Sequence, residues 1–251
     1  MNMQSIYSAV IIAKNEAFTI AKCILALKKI TNDIIIVLDD RSDDQTESIA
    51  TSLGAKVYKK DWEGYSKNKN YGIEKAANEW IICVDADEVI NEALANNIIS
   101  LEPTSDKVYL MNIQTYLGDY PVKYCGWFPD WNIRLFNKKV MRWNDSYVHE
   151  QLISDVPLIS VKILGQIDHF SFRDEDHMKI KYNYYARLRA DEWKKAQKNP
   201  LWIKRYFGPY FRFFRTYFLK RGILDGKAGL TIAKNEYKLK KNELKYFYEN
   251  K

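Results

Sequence analysis

Two pairs of acidic side chains directly follow apolar segments of this sequence. They are Asp39 and Asp40 after residues 34–38, and Asp85 and Asp87 after residues 80–84. Carboxylates this close together repel one another unless a cation or a ligand relieves the repulsion. A divalent cation such as Mn²⁺ or Mg²⁺ takes oxygen ligands from carboxylates, and a diphosphate can supply the remaining ones. We therefore expect Asp85 and Asp87 to bind a divalent metal ion, which leaves Asp39 and Asp40 to hydrogen-bond the base and ribose of a nucleotide.

The elements that must position these side chains are parallel strands joined by helices, because short apolar runs alternate with helical patterns over the first hundred residues. The sequence predicts strands over residues 8–13, 34–38, 55–59 and 80–84, and helices over residues 16–30, 42–53 and 66–78. Ser42 to Gln45 has the spacing of a capping box, which predicts the start of the second helix. Ligands bind outside the carboxyl ends of the strands in an open α/β sheet, so residues 14–16 should lie near both acidic pairs.

Beyond residue 105 the pattern changes to strands separated by turns. The sequence predicts strands over residues 108–116, 133–137 and 140–143, with Lys138 and Lys139 forming a hairpin between the last two. These segments should add antiparallel strands to the sheet. Arg134 is a charged residue within an apolar strand, which leaves two interpretations open. It contacts a bound diphosphate or Glu150, or it forms a buried structural ion pair.

Charge is distributed unevenly along the chain. The 251 residues carry a net charge of +7, whereas residues 177–251 contain 20 Lys and Arg against 6 Asp and Glu, a net charge of +14. Nine of the 23 residues from 199 to 221 are aromatic. A basic surface of this kind suits phosphate on nucleic acid, anionic lipid or a phosphorylated glycolipid.

The sequence also predicts the cellular compartment. It has no apolar run of about 18 residues, and its first residues do not match a signal peptide, so we expect the body of the protein in the cytoplasm. The three cysteines lack the spacing of a zinc site or a disulfide framework.

Two other functions are also compatible with these features. The basic aromatic tail is also compatible with a nucleic-acid-binding protein, although that function leaves the acidic pairs unexplained. A nucleotidyltransferase can share a related sheet and a carboxylate pair. That class normally builds a glycine-rich phosphate loop after the first strand, and residues 13–16 contain no glycine.

The chain closely resembles the family 2 glycosyltransferases in the strings SAVIIAKNEAFTI, IIIVLDDRSDDQT and GAKVYKKDWEGYSKNKNYGIEKAANEWIICVDADEVI. It is similar to the lipopolysaccharide inner-core β-1,4-glucosyltransferases of that family in GWFPDWNIRLFNKK, YVHEQL, IDHFSF and YFLKRGILDGKAGL. The resemblance implies an α/β protein with the GT-A fold, a Rossmann-like mixed sheet flanked by helices. The catalytic domain would cover residues 1–175, with a nucleotide-binding half at 1–100 and an acceptor half at 101–175. Residues 176–251 would form a basic helical C-terminal extension.

The resemblance also implies a nucleotide-sugar site at the strand ends. The residues expected around the donor are Ala13, Lys14, Asn15, Glu16, Asp39, Asp40, Arg41, Lys69, Asn70, Asp85, Ala86 and Arg134. Asp85 and Asp87 correspond to the Asp-x-Asp motif of the family, and Asp87 is the more direct metal ligand of the two. Arg41 departs from the small residue that the family often has in its Asp-Asp-x-Ser turn.

An inverting transfer needs one base to take the proton of the acceptor hydroxyl. The resemblance implies Glu150 for this role, because the family places a catalytic carboxylate after the acceptor loop, and Asp130 is the alternative. His169 is expected to complete the metal site, and His149 is the other candidate for that position.

Taken together, these features predict an inverting, metal-dependent transferase of a sugar, expected to be glucose, from a UDP-sugar. The acceptor would be a glycan or glycolipid such as lipopolysaccharide core. The enzyme would lie on the inner face of the cytoplasmic membrane as a peripheral protein, through an anionic lipid surface, with no nucleic-acid partner. The oligomeric state is left open.

Overall fold

The computed structural model describes residues 5–144, 151–197 and 202–249. The strands are β1 (Tyr7–Ala13), β2 (Ile34–Asp39), β3 (Lys56–Lys60), β4 (Trp80–Asp85), β5 (Glu88–Ile90), β6 (Lys107–Leu117), β7 (Tyr120–Pro121), β8 (Asp130–Asn137), β9 (Arg142–Trp143), β10 (Leu152–Ile153) and β11 (Ile159–Phe172). The α-helices are α1 (Ile20–Leu27), α2 (Thr46–Ser52), α3 (Tyr65–Lys75), α4 (Glu92–Ile99), α5 (Glu175–Lys195), α6 (Trp202–Phe214) and α7 (Gly226–Tyr248).

Tertiary contacts divide the chain into two compact units. The first unit contains Met1–Ile113 and Asp130–His169, and the second contains Gln114–Pro129 and Phe170–Lys251. The second unit therefore takes residues 114–129 from the middle of the chain, in addition to the basic C-terminal segment that the sequence sets apart from residue 176.

The first unit is built on a sheet in the order β3-β2-β1-β4-β8-β6-β11-β5. β3, β2, β1 and β4 run parallel, as the alternation of strands and helices predicts. β8 pairs antiparallel with both β4 and β6, which confirms the mixed sheet. Because the chain order reverses between β1 and β4, the carboxyl ends of these strands border the crevice where such sheets bind ligands.

Helices cover both faces of the parallel strands. α1 buries Ile20, Ile24 and Leu27 in the main apolar core, and this spacing places all three on one side of the helix. α3 packs on β1 and β2 through Gly72. A Cβ atom at this glycine would lie 2.6 Å from Cγ1 of Val10, so the close approach requires a residue without a side chain.

Two local predictions were wrong. Residues 138–139 do not join a hairpin, because β9 pairs antiparallel with β10 in a separate two-stranded sheet, while β8 pairs with β4 and β6. The predicted capping box does not start α2, which begins only at Thr46. Ser42 instead bonds to Asn15, with 3.0 Å between Oγ and Oδ1, because the end of β1 offers it a partner.

The second unit is mainly helical, and polar contacts join its segments around a small apolar core. Asp225 is buried and accepts hydrogen bonds from the backbone N–H of Lys123 (3.1 Å) and of Tyr124 (2.9 Å). Glu236 on α7 accepts one from the hydroxyl of Tyr182 on α5 (3.0 Å) and one from Nε of Arg212 on α6 (2.5 Å). Within the described residues, no helix combines the length and the apolar character needed to cross a membrane.

Candidate active site

Asp39 ends β2 and is held by more hydrogen bonds than its neighbour Asp40. Its buried carboxylate accepts hydrogen bonds from the backbone N–H of Arg41 (3.0 Å) and from Nε (2.9 Å) and Nη2 (2.6 Å) of that side chain, and Nζ of Lys14 lies 3.4 Å away. The side-chain hydrogen bond from Arg41 lowers the pKa of Asp39 well below its usual range, against the opposing effect of burial. Asp39 is therefore an anionic acceptor, and Arg41 and Lys14 bring positive charge to the same strand end.

Asp40 is exposed at this strand end. The neighbouring Asp61 raises its pKa by a side-chain hydrogen bond and by like charge. The carboxyl of Asp40 is therefore open to a ligand.

Asn15 and Glu16 form hydrogen bonds to the segment that leads into α2. The backbone of Asn15 is in the left-handed region (φ 54°), and its Oδ1 accepts a hydrogen bond from the N–H of Asp43 at 3.0 Å. The N–H of Glu16 donates to Oγ1 of Thr46 at 2.8 Å. These bonds join the end of β1 to the loop before α2. Ala13 is buried in the sheet, so its methyl group faces the core.

Asp85 ends β4 and lies between two cations. Its carboxylate is 3.4 Å from Nζ of Lys69 and 3.6 Å from Nη2 of Arg134. Burial raises the pKa of Asp85, but the attraction of Lys69 and Arg134 outweighs burial and lowers it to about 2. Ala86, which follows it, is buried. The structure thus brings together three of the residues that the sequence predicts for donor binding.

Lys69 and Asn70 lie on α3 and have different roles. Lys69 is almost fully buried, and its Nζ lies 4.6 Å from the ring centroid of Trp143. Asn70 donates from Nδ2 to the carbonyl of Trp143 (2.9 Å) and accepts at Oδ1 from the N–H of the same residue (3.0 Å). Because the backbone of Trp143 uses both ends of the Asn70 amide, Asn70 supports the ring beside Lys69.

Glu88 is a central residue of this cluster that the sequence analysis did not assign. Its buried carboxylate accepts from Nη2 of Arg134 at Oε1 (2.5 Å) and from the backbone N–H of Asp85 at Oε2 (2.9 Å). Burial raises the pKa of Glu88 to about 7, against the opposing charge of Arg134. The buried ion pair considered for Arg134 is therefore present, and Arg134 also lies close to Asp85. One sequence signal was available: Glu88 lies two residues before Ile90 in β5, so the two side chains share the buried face of that strand.

Asp87 lies beside His169, the last residue of the first unit. Oδ2 of Asp87 is 3.3 Å from Nε2 of His169, and β11 pairs with β5 so that His169 lies opposite Glu88. Burial lowers the pKa of His169, but the hydrogen bond that its imidazole donates to Asp87 and the charge of the nearby carboxylates raise it more. Among the described residues no group of three or more His, Cys, Asp or Glu side chains is placed to hold a metal ion. The metal roles of Asp85, Asp87 and His169 remain predictions.

Of the two candidate bases, Asp130 and Glu150, the structure describes only Asp130. Asp130 is exposed at the start of β8, where its N–H donates to Oδ1 of Asn112 at 3.0 Å. β8 runs antiparallel to β4 with Leu135 opposite Ile82, so Asp130 lies toward the sheet edge at which β4 ends. Glu150 and His149 fall outside the residues that the structure describes.

Comparison with known proteins identifies the family. The model of the glycosyl transferase family 2 matches residues 8–149. The chain is 30% identical over 240 residues to an uncharacterised glycosyltransferase of Rickettsia typhi, covering 88% of this chain and 80% of the relative. It is 28% identical over 224 residues to the lipopolysaccharide core biosynthesis glycosyltransferase LpsC of Rhizobium meliloti, covering 84% and 80%.

Among solved structures, the chain is similar to residues 1–349 of S. aureus TarS in complex with UDP-GlcNAc. The TM-score is 0.44 and the identity 14%, over 93% of this chain and 90% of that TarS fragment. The family match covers more than half of the chain and includes the ends of β1, β2 and β4. The chain is a glycosyltransferase with the GT-A fold, and it belongs to family 2 of the glycosyl transferases.

Proposed function

We propose that this chain transfers a sugar, with inversion, from a UDP-sugar to a hydroxyl of a glycan or glycolipid related to lipopolysaccharide core. The observation that carries the proposal is the group of Lys69, Arg134 and Asp85 at the carboxyl end of β4. Two buried cations flank one carboxylate there, and a diphosphate is the part of a nucleotide sugar that needs positive charge.

The residues at the end of β2 suit the nucleoside. Asp39 is held as an anion by Arg41, so its carboxylate can accept from a ribose hydroxyl or a base N–H. Lys14 and Arg41 are partly exposed beside it and add positive charge at the same strand end. UDP as the nucleotide and glucose as the sugar follow from the resemblance of the sequence to inner-core glucosyltransferases.

A divalent cation fits the chemistry of the neighbouring side chains. Asp87 and His169 have side chains of the kinds that ligate metals, and Oδ2 of Asp87 lies 3.3 Å from Nε2 of His169. The oxygens of a diphosphate would complete the coordination. Bound there, Mn²⁺ or Mg²⁺ would neutralise charge on the departing UDP. Asp85 faces Lys69 and Arg134, so in our proposal it holds these two cations in place as well as bordering the metal.

The transfer itself makes one bond and breaks one. The acceptor oxygen bonds to the anomeric carbon while the bond from that carbon to the diphosphate oxygen breaks, and UDP leaves with the electron pair. A carboxylate takes the proton of the acceptor hydroxyl. We propose Glu150 for this step, with Asp130 as the alternative because it lies toward the sheet edge where β4 ends. Lys69 and Arg134 stabilise the negative charge that develops on the leaving group.

The acceptor class follows from relatives and from charge. LpsC of Rhizobium meliloti is named for lipopolysaccharide core biosynthesis, and it matches over most of both chains. A phosphorylated glycan or glycolipid also complements the net charge of +14 in residues 177–251.

A donor screen tests the proposal. Purified protein is incubated with UDP-, GDP- and dTDP-sugars, with Mn²⁺, Mg²⁺ or EDTA, and release of the nucleoside diphosphate is measured. We expect UDP release from UDP-glucose that is lost in EDTA and restored by added cation. Release from GDP- or dTDP-sugars alone would overturn the UDP assignment. Undiminished release in EDTA would overturn the metal requirement. Lys69 and Arg134 would then neutralise the charge on the departing UDP by themselves.

A further inference from the structure

α6 in the second unit exposes its aromatic side to solvent. Phe207 is 65% exposed and Phe211 is 59% exposed, and Tyr210 and Phe214 on the same helix are also exposed. Over residues 206–214 of this helix, Pro209 is buried, Phe213 is partly buried and Arg212 bonds to Glu236 of α7. Five of the six aromatic side chains in residues 206–214 are exposed, whereas a helix on a soluble domain usually turns its apolar side inward.

The exposed apolar surface continues beyond the helix. We call it the aromatic face. Its exposed members are Tyr206, Phe207, Tyr210, Phe211, Phe214, Phe218, Leu219, Ile223 and Leu224. The members from 206 to 218 recur at spacings of three and four residues, which places them along one side of a helix. Nine large apolar side chains exposed within 19 residues are typical of a binding surface for a protein or a membrane.

Exposed basic side chains occur within and after this stretch of the chain. Arg215 and Arg221 are exposed within the same stretch, and Lys227 and Lys234 are exposed along α7. A groove of about 400 Å³ opens beside Tyr206 and is lined further by Lys241, Leu244, Lys245, Tyr248 and Glu249. Phosphate groups fit lysines placed next to an apolar surface, since they bring negative charge to the polar border.

We propose that the aromatic face docks on an anionic phospholipid bilayer. Charge decides between the possible occupants: a second copy would bring another segment of net charge +14 against this one, whereas an anionic bilayer neutralises it. The residue types agree, because Tyr and Phe favour the headgroup boundary and Lys and Arg contact the lipid phosphates. The proposal is independent of the donor and the metal.

Co-sedimentation of the full chain with liposomes tests the docking. The vesicles are phosphatidylcholine alone, or phosphatidylcholine with about a third phosphatidylglycerol. Binding should require the anionic lipid and weaken as salt is raised, because each basic residue at the surface strengthens binding about fivefold at low salt. No binding to anionic vesicles, or equal binding to both compositions, would overturn the proposal.

Variants localise the contact. Phe207→Ser combined with Phe211→Ser should reduce partition onto anionic vesicles at least tenfold, since each phenyl ring loses its apolar burial. Phe18→Ser is the matched control, because Phe18 is 67% exposed in the first unit and should not affect binding. UDP release by each variant reports separately on the catalytic unit. Wild-type binding by the double variant would overturn the proposal.

A gain of signal avoids dependence on a destabilised variant. Phe211→Trp should show fluorescence quenching by brominated lipid beyond that of the native tryptophans, and Phe18→Trp should not. Sedimentation equilibrium tests the rival occupant. If the wild-type chain forms a dimer that the Phe207 and Phe211 changes dissociate, and vesicle binding is unaffected, the face is an interface between copies and the membrane proposal fails.

Discussion

Arg134 donates a hydrogen bond from Nη2 to Oε1 of the buried Glu88 at 2.5 Å. The second carboxylate oxygen of Glu88 accepts from the backbone N–H of Asp85, so one side chain fixes both the guanidinium and the end of β4. Glu88 thus acts through Arg134 and Asp85, and it has no need to contact the donor.

We predict that Glu88→Gln destabilises the protein by about 3 kcal/mol. An amide has one acceptor oxygen, so either Arg134 or the N–H of Asp85 loses its buried acceptor. The midpoint of urea unfolding measures the effect. Glu79→Gln is the control, because Glu79 pairs with Lys139 at the exposed surface and its change should leave the midpoint unaltered. An unaltered midpoint for Glu88→Gln would show that the pair does not stabilise the fold.

The lowered pKa of Asp39 predicts that the protein loses part of its stability at acid pH. The pKa of Asp39 in the folded protein is below the value of about 3.9 expected for the unfolded chain, so its stabilising contribution is present above that value. The contribution is lost as the pH falls below about 4 toward the folded pKa. Asp39→Asn should therefore lower stability at pH 7 and flatten its decline between about pH 4 and 3. Urea unfolding at several pH values checks this, and Asp155→Asn, at an exposed position, should retain the wild-type decline.

Asp87 is predicted to be essential for transfer. Asp87→Ala should abolish nearly all turnover and preserve the fold, because the residue lies at a strand end and outside the apolar core. It should also lower the pKa of His169, since Asp87 is the first of the groups that raise it. Steady-state kinetics and an NMR titration of the imidazole measure the two effects. Asp155→Ala, at an exposed position, should change neither. Substantial activity in folded Asp87→Ala would exclude an essential ligand role.

The catalytic base is decided by two matched amide variants. Glu150→Gln should lower kcat by about 10²- to 10⁴-fold with nearly unchanged UDP affinity, because only proton transfer is removed. Asp130→Asn should retain most of the turnover. The opposite result, a large loss in Asp130→Asn alone, would exchange the two assignments. Circular dichroism of both variants controls for misfolding.

The local pattern of the sequence determined the parallel half of the sheet. The four apolar runs became β1, β2, β3 and β4 within one or two residues, since each run is bounded by turn or helix signals. Asp39 and Asp85 stand at strand ends for the same reason. The family resemblance also came from the sequence alone, and the family match over residues 8–149 confirms it.

Only the tertiary structure decided which side chains meet. Glu88 contacts Arg134 across 46 positions of the chain, and Asn70 holds the backbone of Trp143 across 73. β9 pairs with β10 although Lys138 and Lys139 offered a hairpin. The exposure of Phe207 and Phe211 was equally undecided, since an aromatic stripe has the same periodicity whether it faces a core or solvent. Periodicity describes one element at a time, whereas these contacts depend on how distant elements pack against each other.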